Sequence, residues 1–495
     1  MTDTALSARS RVLLPLILIG IFVLALTLHG YLSRPSLDRY GDMYENYAWG
    51  VLWQWGYYKH PPFFGWETAA WFLVFPRTDF FYFLLAGVNA GVALVALWRI
   101  ANRFGGTGFQ VLVLALAMVM PPISFLGLNF NANSAMTPIW ALLFLFYLRG
   151  LEKGRLGDAV AIGAFGAIAM LTKYHSVVML GALLIHAVTD REARALLFSR
   201  FGLVAMLAFA AVIGPHLLWL YGNDFLPITY AAEQDDGEGP NFPDSALFLV
   251  TPLGYCALSM VVARSMRGLR DAFPLVPVGQ VRDVWARAEG RALIHFAVWP
   301  LLLTILLGYL ADAELSAVWG IPFYTAYAVI IALLVPPVYY EAHIRRAIGA
   351  ILIFSALIVA IAPFWYRFES NVDSGYYNAP LPAISAEVDR VWEEAGGPEG
   401  FVIFGQAALA NPVSFYSKLD PITLEADSFE VARHYMTPEQ ALKRGMLGLC
   451  KAGDKACEDI VRSIVPSALQ PKTFTVKGRN GQDWTFNAWV SLPVR

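Results

Sequence analysis

Long apolar runs recur along this chain, and they constrain its fold more than any other feature. Val12–Leu28 is the first. A helix that crosses a bilayer needs about 20 mostly apolar residues. Eleven stretches qualify, near 12–30, 80–98, 107–124, 134–149, 157–172, 176–190, 201–221, 245–263, 292–310, 321–339 and 346–366. The two between 157 and 190 are short and interrupted. Composition agrees: 57% of residues are hydrophobic and 15% charged, against about 25% charged in soluble chains. The expected fold is an all-α polytopic membrane protein. Net charge is −2, so no bulk electrostatic argument favours a nucleic-acid partner. Arg9 and Arg11 precede the first run, which is long and lacks a small-residue cleavage site. It reads as an uncleaved span rather than a signal peptide.

Orientation follows from the Lys/Arg bias of the loops. With the N-terminus cytoplasmic, the cytoplasmic loops hold Arg9 and Arg11; Arg99 and Arg103; Arg149, Lys153 and Arg155; Arg191, Arg194 and Arg200; Arg264, Arg267, Arg270, Arg282, Arg287 and Arg291; and Arg345 and Arg346. The opposite loops hold Arg34, Arg39, Lys59, Arg77 and Lys173. Eleven spans then put the C-terminal segment outside. The expected division is a membrane domain over 1–366 and a small α/β or α+β domain over 367–495. The latter contains "EVDRVWEEAGG", an amphipathic helix, and "FVIFGQ", a buried strand, before "ALANPVSFYS". Cys450 and Cys457 form either a local disulfide, which an outward-facing domain permits, or two free thiols. Cys256 reads as a packing residue in a span. Three cysteines exclude a disulfide scaffold and a Cys-based zinc module.

The first outward loop, about Tyr31 to Asp79, is long for a plain connection. Its aromatic content argues against disorder. The spacing of Tyr40, Tyr44, Tyr47, Trp49 and Trp53 predicts an amphipathic interfacial helix, ended by Pro61-Pro62. "GWETAAWFLVF" predicts a second short helix. An aromatic belt anchoring the chain at the interface explains the Trp and Tyr. It leaves Asp42, Glu45 and the Lys59-His60-Pro61-Pro62 cluster without a reason, although Asp42 also suits a helix N-terminus.

The loop resembles the first periplasmic loop of glycosyltransferase family 39, membrane-embedded transferases of the GT-C fold that use lipid-linked sugars. The matching residues are Asp42, "YENYAWGVLWQW", Gly56-Tyr57-Tyr58-Lys59-His60-Pro61-Pro62 and Trp66. "GLNFNANSAMTPIW" (Gly127–Trp140), "AMLTKYHSVVML" (Ala169–Leu180), "GPHLLWLYGNDFLPITYA" (Gly214–Ala231) and "VWGIPFY" (Val318–Tyr324) extend the resemblance over roughly the first 330 residues. "FVIFGQAALANPVSFYSKLDP" is a weaker match to the family's outer domain. All these patches fall at the outer ends of the expected spans.

The resemblance implies a polyprenyl-phosphate sugar donor and inverting transfer. Asp42 is then the base that takes the acceptor hydroxyl proton. With an ionised phosphate as acceptor, it would instead orient that group or stabilise charge on the sugar. Lys59, His60 and Lys173 are the candidates for the donor phosphate. Related aminoarabinose transferases carry lysine where this chain has His60. An interfacial lysine also simply snorkels, whereas an ionisable residue within the membrane is functional by default; Lys173, near an outer helix end, admits both readings. Glu45, Tyr57, Tyr58, Asn131, Asn133, His175, His216 and Trp319 are candidates for the sugar or acceptor. The plain alternatives are a solvated Glu45, a helix cap at Asn131 and Asn133, and a satisfied buried His216. The acidic loop Glu233–Ser245 gates the cavity, binds a divalent cation or is merely solvated. No ligand spacing demands a metal.

The expected activity is transfer of one sugar, at the bacterial inner membrane, to a periplasm-facing acceptor. Lipid A or lipopolysaccharide core comes first and protein O-mannosylation second. The rivals are a lipid-linked sugar transporter or flippase, which should show inverted repeats and mid-membrane charges, and a non-catalytic assembly scaffold.

Overall fold

A computed structural model describes residues 8–233, 242–266, 278–372, 374–427, 429–432, 434–465, 470–479 and 481–493. Among them, seven helices are long and apolar enough to cross a membrane: Arg9–Ser33, Asp79–Ala101, Ala132–Lys153, Arg200–Gly222, Pro243–Ser265, Ala288–Ala311 and Ile344–Glu369. Four shorter apolar helices are Thr107–Met118, Leu156–Thr172, Tyr174–Thr189 and Ala317–Leu333. In chain order these eleven coincide with the eleven expected stretches. The short ones differ from expectation in length. Thr107–Met118 has 12 residues, about 18 Å at 1.5 Å per residue, well below a hydrocarbon core of about 30 Å. The acidic loop at Glu233–Ser245 lies mostly outside the described residues, as do Arg267 and Arg270.

Local chemistry sets several ends. The Asn131 side chain accepts from the Asn133 and Ser134 N–H groups and, with Ser134, forms a capping box at the start of Ala132–Lys153. Gly154, in the left-handed region, ends that helix. Asp190 and Ser199 cap Arg191–Leu197 and Arg200–Gly222.

Contacts group the chain into two compact units, Met1–Gly30 with Lys59–Phe63 and Phe83–Ile361, and Tyr31–Tyr58 with Phe64–Tyr82 and Ala362–Arg495. The first loop therefore contributes to both. In the first unit, Gly108–Met118 is wholly buried. Arg200–Gly222 is the opposite: Leu207 is 60% and Leu218 76% exposed. An apolar surface of this kind suits lipid rather than water.

The second unit holds a five-stranded mixed sheet of order β2-β1-β3-β5-β4, with β1 at Val402–Gly405, β2 at Ile422–Glu425, β3 at Met446–Lys451, β4 at Lys472–Lys477 and β5 at Asp483–Ser491. β1 pairs in parallel with β2 and β3, and β5 runs antiparallel to β3 and β4. All four residues of β1 are buried, as a central parallel strand requires. β4 is an edge strand bearing Lys472 and Lys477, charges that discourage edge-to-edge pairing. Val402, Phe404, Leu424, Met446, Val461 and Trp489 share one core. Cys450 and Cys457 are disulfide-bonded, S–S 2.05 Å, tying β3 to the Lys455–Ile464 helix.

The expected interfacial helix needs correcting. It runs only over Asp42–Gly50, so Tyr40 and Trp53 lie outside it. Seven of its residues, Met43, Tyr44 and Asn46–Gly50, are buried. Its aromatic face packs on protein: Tyr47 lies 5.3 Å from Phe415 and Tyr44 5.8 Å from Tyr416, ring to ring. The second helix, Phe63–Phe72, forms as expected. The two meet where neither has a side chain: a Cβ on Gly50 would lie 2.1 Å from the Gly65 carbonyl oxygen.

Candidate active site

The candidate residues fall into two clusters, one in each unit. In the second unit, Asp42 is the first residue of its helix, and Glu45 lies three residues on, on the same face. Both are partly exposed. Gly41 precedes them with φ of 84°, a left-handed conformation that glycine adopts without steric cost. The turn is held by Asp38. Its Oδ1 accepts from the N–H groups of Tyr40 (2.8 Å), Gly41 (2.5 Å) and Asp42 (3.1 Å), and its Oδ2 from Met43 (2.8 Å). Asp38 is only 4% exposed. Burial, then the neighbouring Asp42, raises its pKa to about 6 although four N–H groups favour the charged form.

A hydroxyl chain braces the next turn. Ser36 Oγ and the Tyr44 hydroxyl lie 2.8 Å apart, Tyr44 and Tyr416 hydroxyls 2.9 Å, and the Tyr416 hydroxyl donates to Asp79 Oδ1 at 2.5 Å. Tyr57 and Tyr58 are fully buried. Tyr57 stacks on Trp49 at 5.2 Å, and the Tyr58 hydroxyl donates to Glu425 Oε2 at 2.9 Å. Asn411 donates to the other Glu425 oxygen at 3.1 Å.

In the first unit, Lys173 sits at a break. It ends Leu156–Thr172 with extended backbone and precedes the Tyr174–Ser176 turn. Its Nζ donates to Asn133 Oδ1 at 2.6 Å and lies 5.6 Å from the centre of the Trp319 ring, within cation–π range. Desolvation, then Lys173, then Lys59, pulls the His60 pKa down to about 3. The imidazole is neutral at physiological pH, beside two cations. His175 Nε2 lies 2.9 Å from Thr304 Oγ1, and its ring tilts against Trp319 at 5.7 Å. His216 Nε2 lies 2.9 Å from the Tyr174 hydroxyl. The fold thus brings Lys173, Asn133 and Trp319 together, with His175 against Trp319 and His60 electrostatically coupled to both Lys173 and Lys59. Asn131 is the helix cap described above.

An apolar cavity of about 450 Å³, lined by residues including Tyr147, Gly163, Leu180, Phe201 and Phe209, contains none of the candidate residues. Among the described residues, no three His, Cys, Asp or Glu side chains are placed to hold a metal.

Sequence reading missed Asp38 and Glu425. Asp38 had a local signal, an Asp ahead of Gly41 and a helical run. Glu425 had none, since its partner Tyr58 is 367 residues away.

Residues 59–219 match the family described as dolichyl-phosphate-mannose-protein mannosyltransferase. The chain is 23% identical over 250 residues to the lipid A galacturonosyltransferase RgtD of Rhizobium johnstonii, covering 48% of this chain and 52% of that protein. It is 25% identical over 284 residues to the lipopolysaccharide core galacturonosyltransferase RgtB of the same organism, covering 54% and 52%. It therefore spans about half the length of these curated relatives. ArnT from Cupriavidus metallidurans has a similar fold in its undecaprenyl-phosphate-bound crystal structure, with TM-score 0.62 and 12% identity over 96% of this chain and 97% of that one. The apo crystal structure of ArnT gives TM-score 0.61 and 13% identity over 96% and 98%. The resemblance to the family 39 membrane glycosyltransferases is thus borne out, by a family match over residues 59–219, by two curated relatives and by an ArnT-like GT-C fold.

Proposed function

We propose that the chain is an inner-membrane glycosyltransferase that moves one sugar from a polyprenyl-phosphate donor to a periplasm-facing acceptor, lipid A or lipopolysaccharide core. The observation that carries the reading is the Lys173–Asn133 pair inside the family-matched region. An ammonium fixed by Asn133, beside a neutral His60 and a second lysine, suits a lipid-borne phosphate. The relatives' names, lipid A and core galacturonosyltransferases, favour a lipid acceptor. The protein mannosyltransferase description of the family favours a protein acceptor as the second reading.

In this reading Lys173, Lys59 and His60 hold the donor phosphate, and Asp42 takes the acceptor proton as the new glycosidic bond forms. Asn133 holds Lys173, and Glu45, His175, His216 and Trp319 are the candidates for contacts to the sugar or acceptor. Tyr57 and Tyr58 act through packing, behind the Asp42 helix. The functional division is a catalytic membrane domain over 1–366, with eleven spans and a cytoplasmic N-terminus, and a periplasmic domain over 367–495.

The test is binding of radiolabelled undecaprenyl phosphate to purified full-length protein. Lys173→Gln should weaken it about 10- to 100-fold, the range for losing a charge-assisted contact of about 1.5–3 kcal/mol. Lys173→Arg should restore part of the loss. Unchanged binding in Lys173→Gln, with a wild-type melting profile, would remove Lys173 from the phosphate site.

A further inference from the structure

A second polar space lies in the first unit, at the far end of the helix that carries Asn133. From Asn133 to Lys153 is 20 residues of helix, roughly 30 Å, so this space lies about one hydrocarbon thickness away from the Lys173 cluster. It has a volume of about 500 Å³ and is lined by Arg99, Asn102 and Arg103 at the end of Asp79–Ala101, by Leu145, Arg149, Glu152 and Lys153 on Ala132–Lys153, and by Glu289 at the start of Ala288–Ala311.

Charges in this space do not cancel. Arg103 donates to Glu152 at 2.6 Å. Arg149 pairs through Nε with Asp158 at 2.9 Å, and that carboxylate is buried behind the wall. Lys153 stands 3.9 Å from the Glu152 already held by Arg103. Arg99 lies over the Trp98 ring at 5.5 Å. Four cations thus face Glu152, Glu289 and Asp158, leaving a surplus of one positive charge. The surplus is carried by Arg99 and Lys153, both exposed.

Helix C-termini attract cations, and basic loops orient spans. Those two effects account for cations here. They do not account for cations from two helices converging on one space. Basic pockets between spanning helices, at the level of the headgroups, bind anionic lipid heads. The geometry points to a phosphodiester lipid headgroup held in this space: a singly charged glycerophosphate head, its phosphate on Arg99, Arg103 and Lys153 and its acyl chains leaving past Leu145. The site is separate from the donor site and does not depend on it.

The test is native mass spectrometry of the full chain released from nanodiscs containing equal phosphatidylglycerol and phosphatidylcholine. Wild type should retain phosphatidylglycerol selectively. Arg99→Gln/Lys153→Gln leaves the Arg103–Glu152 and Arg149–Asp158 pairs intact and should cut retention about 30-fold, as expected for two surface cations. Glu289→Gln adds to the surplus and should raise retention a few-fold. Arg194→Gln/Arg200→Gln removes two exposed cations elsewhere and should leave it unchanged. Equal losses in the two double variants would mean general surface charge and overturn the site. So would displacement of the lipid by 10 mM inorganic phosphate, which would make the ligand a soluble phosphate. Retention unaffected by Arg99→Gln/Lys153→Gln would overturn it as well.

Discussion

Glu67 shows what a single buried carboxyl does to this fold. It lies in the Phe63–Phe72 helix with its Oε2 buried and without a hydrogen-bond partner among the described residues. Burial raises its pKa to about 7. A carboxyl whose folded pKa is raised binds its proton more tightly in the folded state, so its presence destabilises the fold as pH rises from about 4.5 to about 7. Glu67→Gln should therefore melt higher than wild type at pH 8, by an amount equivalent to roughly 3 kcal/mol at most. The difference should close below pH 4.5. Thermal unfolding in detergent at both pH values checks this, and an equal difference at both would place the carboxyl in water. Residues of this kind were hard to read in sequence. "GWETAAW" gave the helix but not the depth at which Glu67 sits, because burial depends on what folds over it.

At the scale of elements, the Asp42–Gly50 helix depends on its entry turn. Asp38 binds four successive N–H groups that the helix cannot satisfy itself. Asp38→Ala should cost about 2–3 kcal/mol of local stability. Asp38→Asn should cost less, since its amide oxygen can keep the three bonds made by Oδ1. Hydrogen exchange of residues 40–46 reports the difference, and equal protection in Asp38→Ala and wild type would refute the role. The apolar spans were legible because hydropathy is local and repeats over about 20 residues. The loop helix was legible in type but not in setting. Its aromatic spacing suggested a lipid surface, whereas Tyr44 and Tyr47 pack on Phe415 and Tyr416, some 370 residues away in sequence. The pair of the partly exposed Arg39 with the buried Glu369, at 2.6 Å, is equally non-local.

At the scale of the whole molecule, the chain shares its fold with ArnT, and motifs far apart in sequence meet in it. Lys173, Asn133 and Trp319 come together as one cluster, from "AMLTKYHSVVML", "GLNFNANSAMTPIW" and "VWGIPFY". Each motif was readable alone; their convergence on one ammonium was not, because it requires the helices to be packed. In the proposed function, Asp42 is needed to transfer one sugar to a periplasm-facing acceptor. The most direct measurement is mass spectrometry of lipid A, core oligosaccharide and polyprenyl phosphates from a deletion strain. That strain is compared with itself carrying wild-type or Asp42→Asn protein at matched expression. One sugar mass should be lost from an acceptor, return with wild type and stay absent with Asp42→Asn. Return of that sugar with Asp42→Asn would contradict the catalytic assignment and favour a transporter or a scaffold.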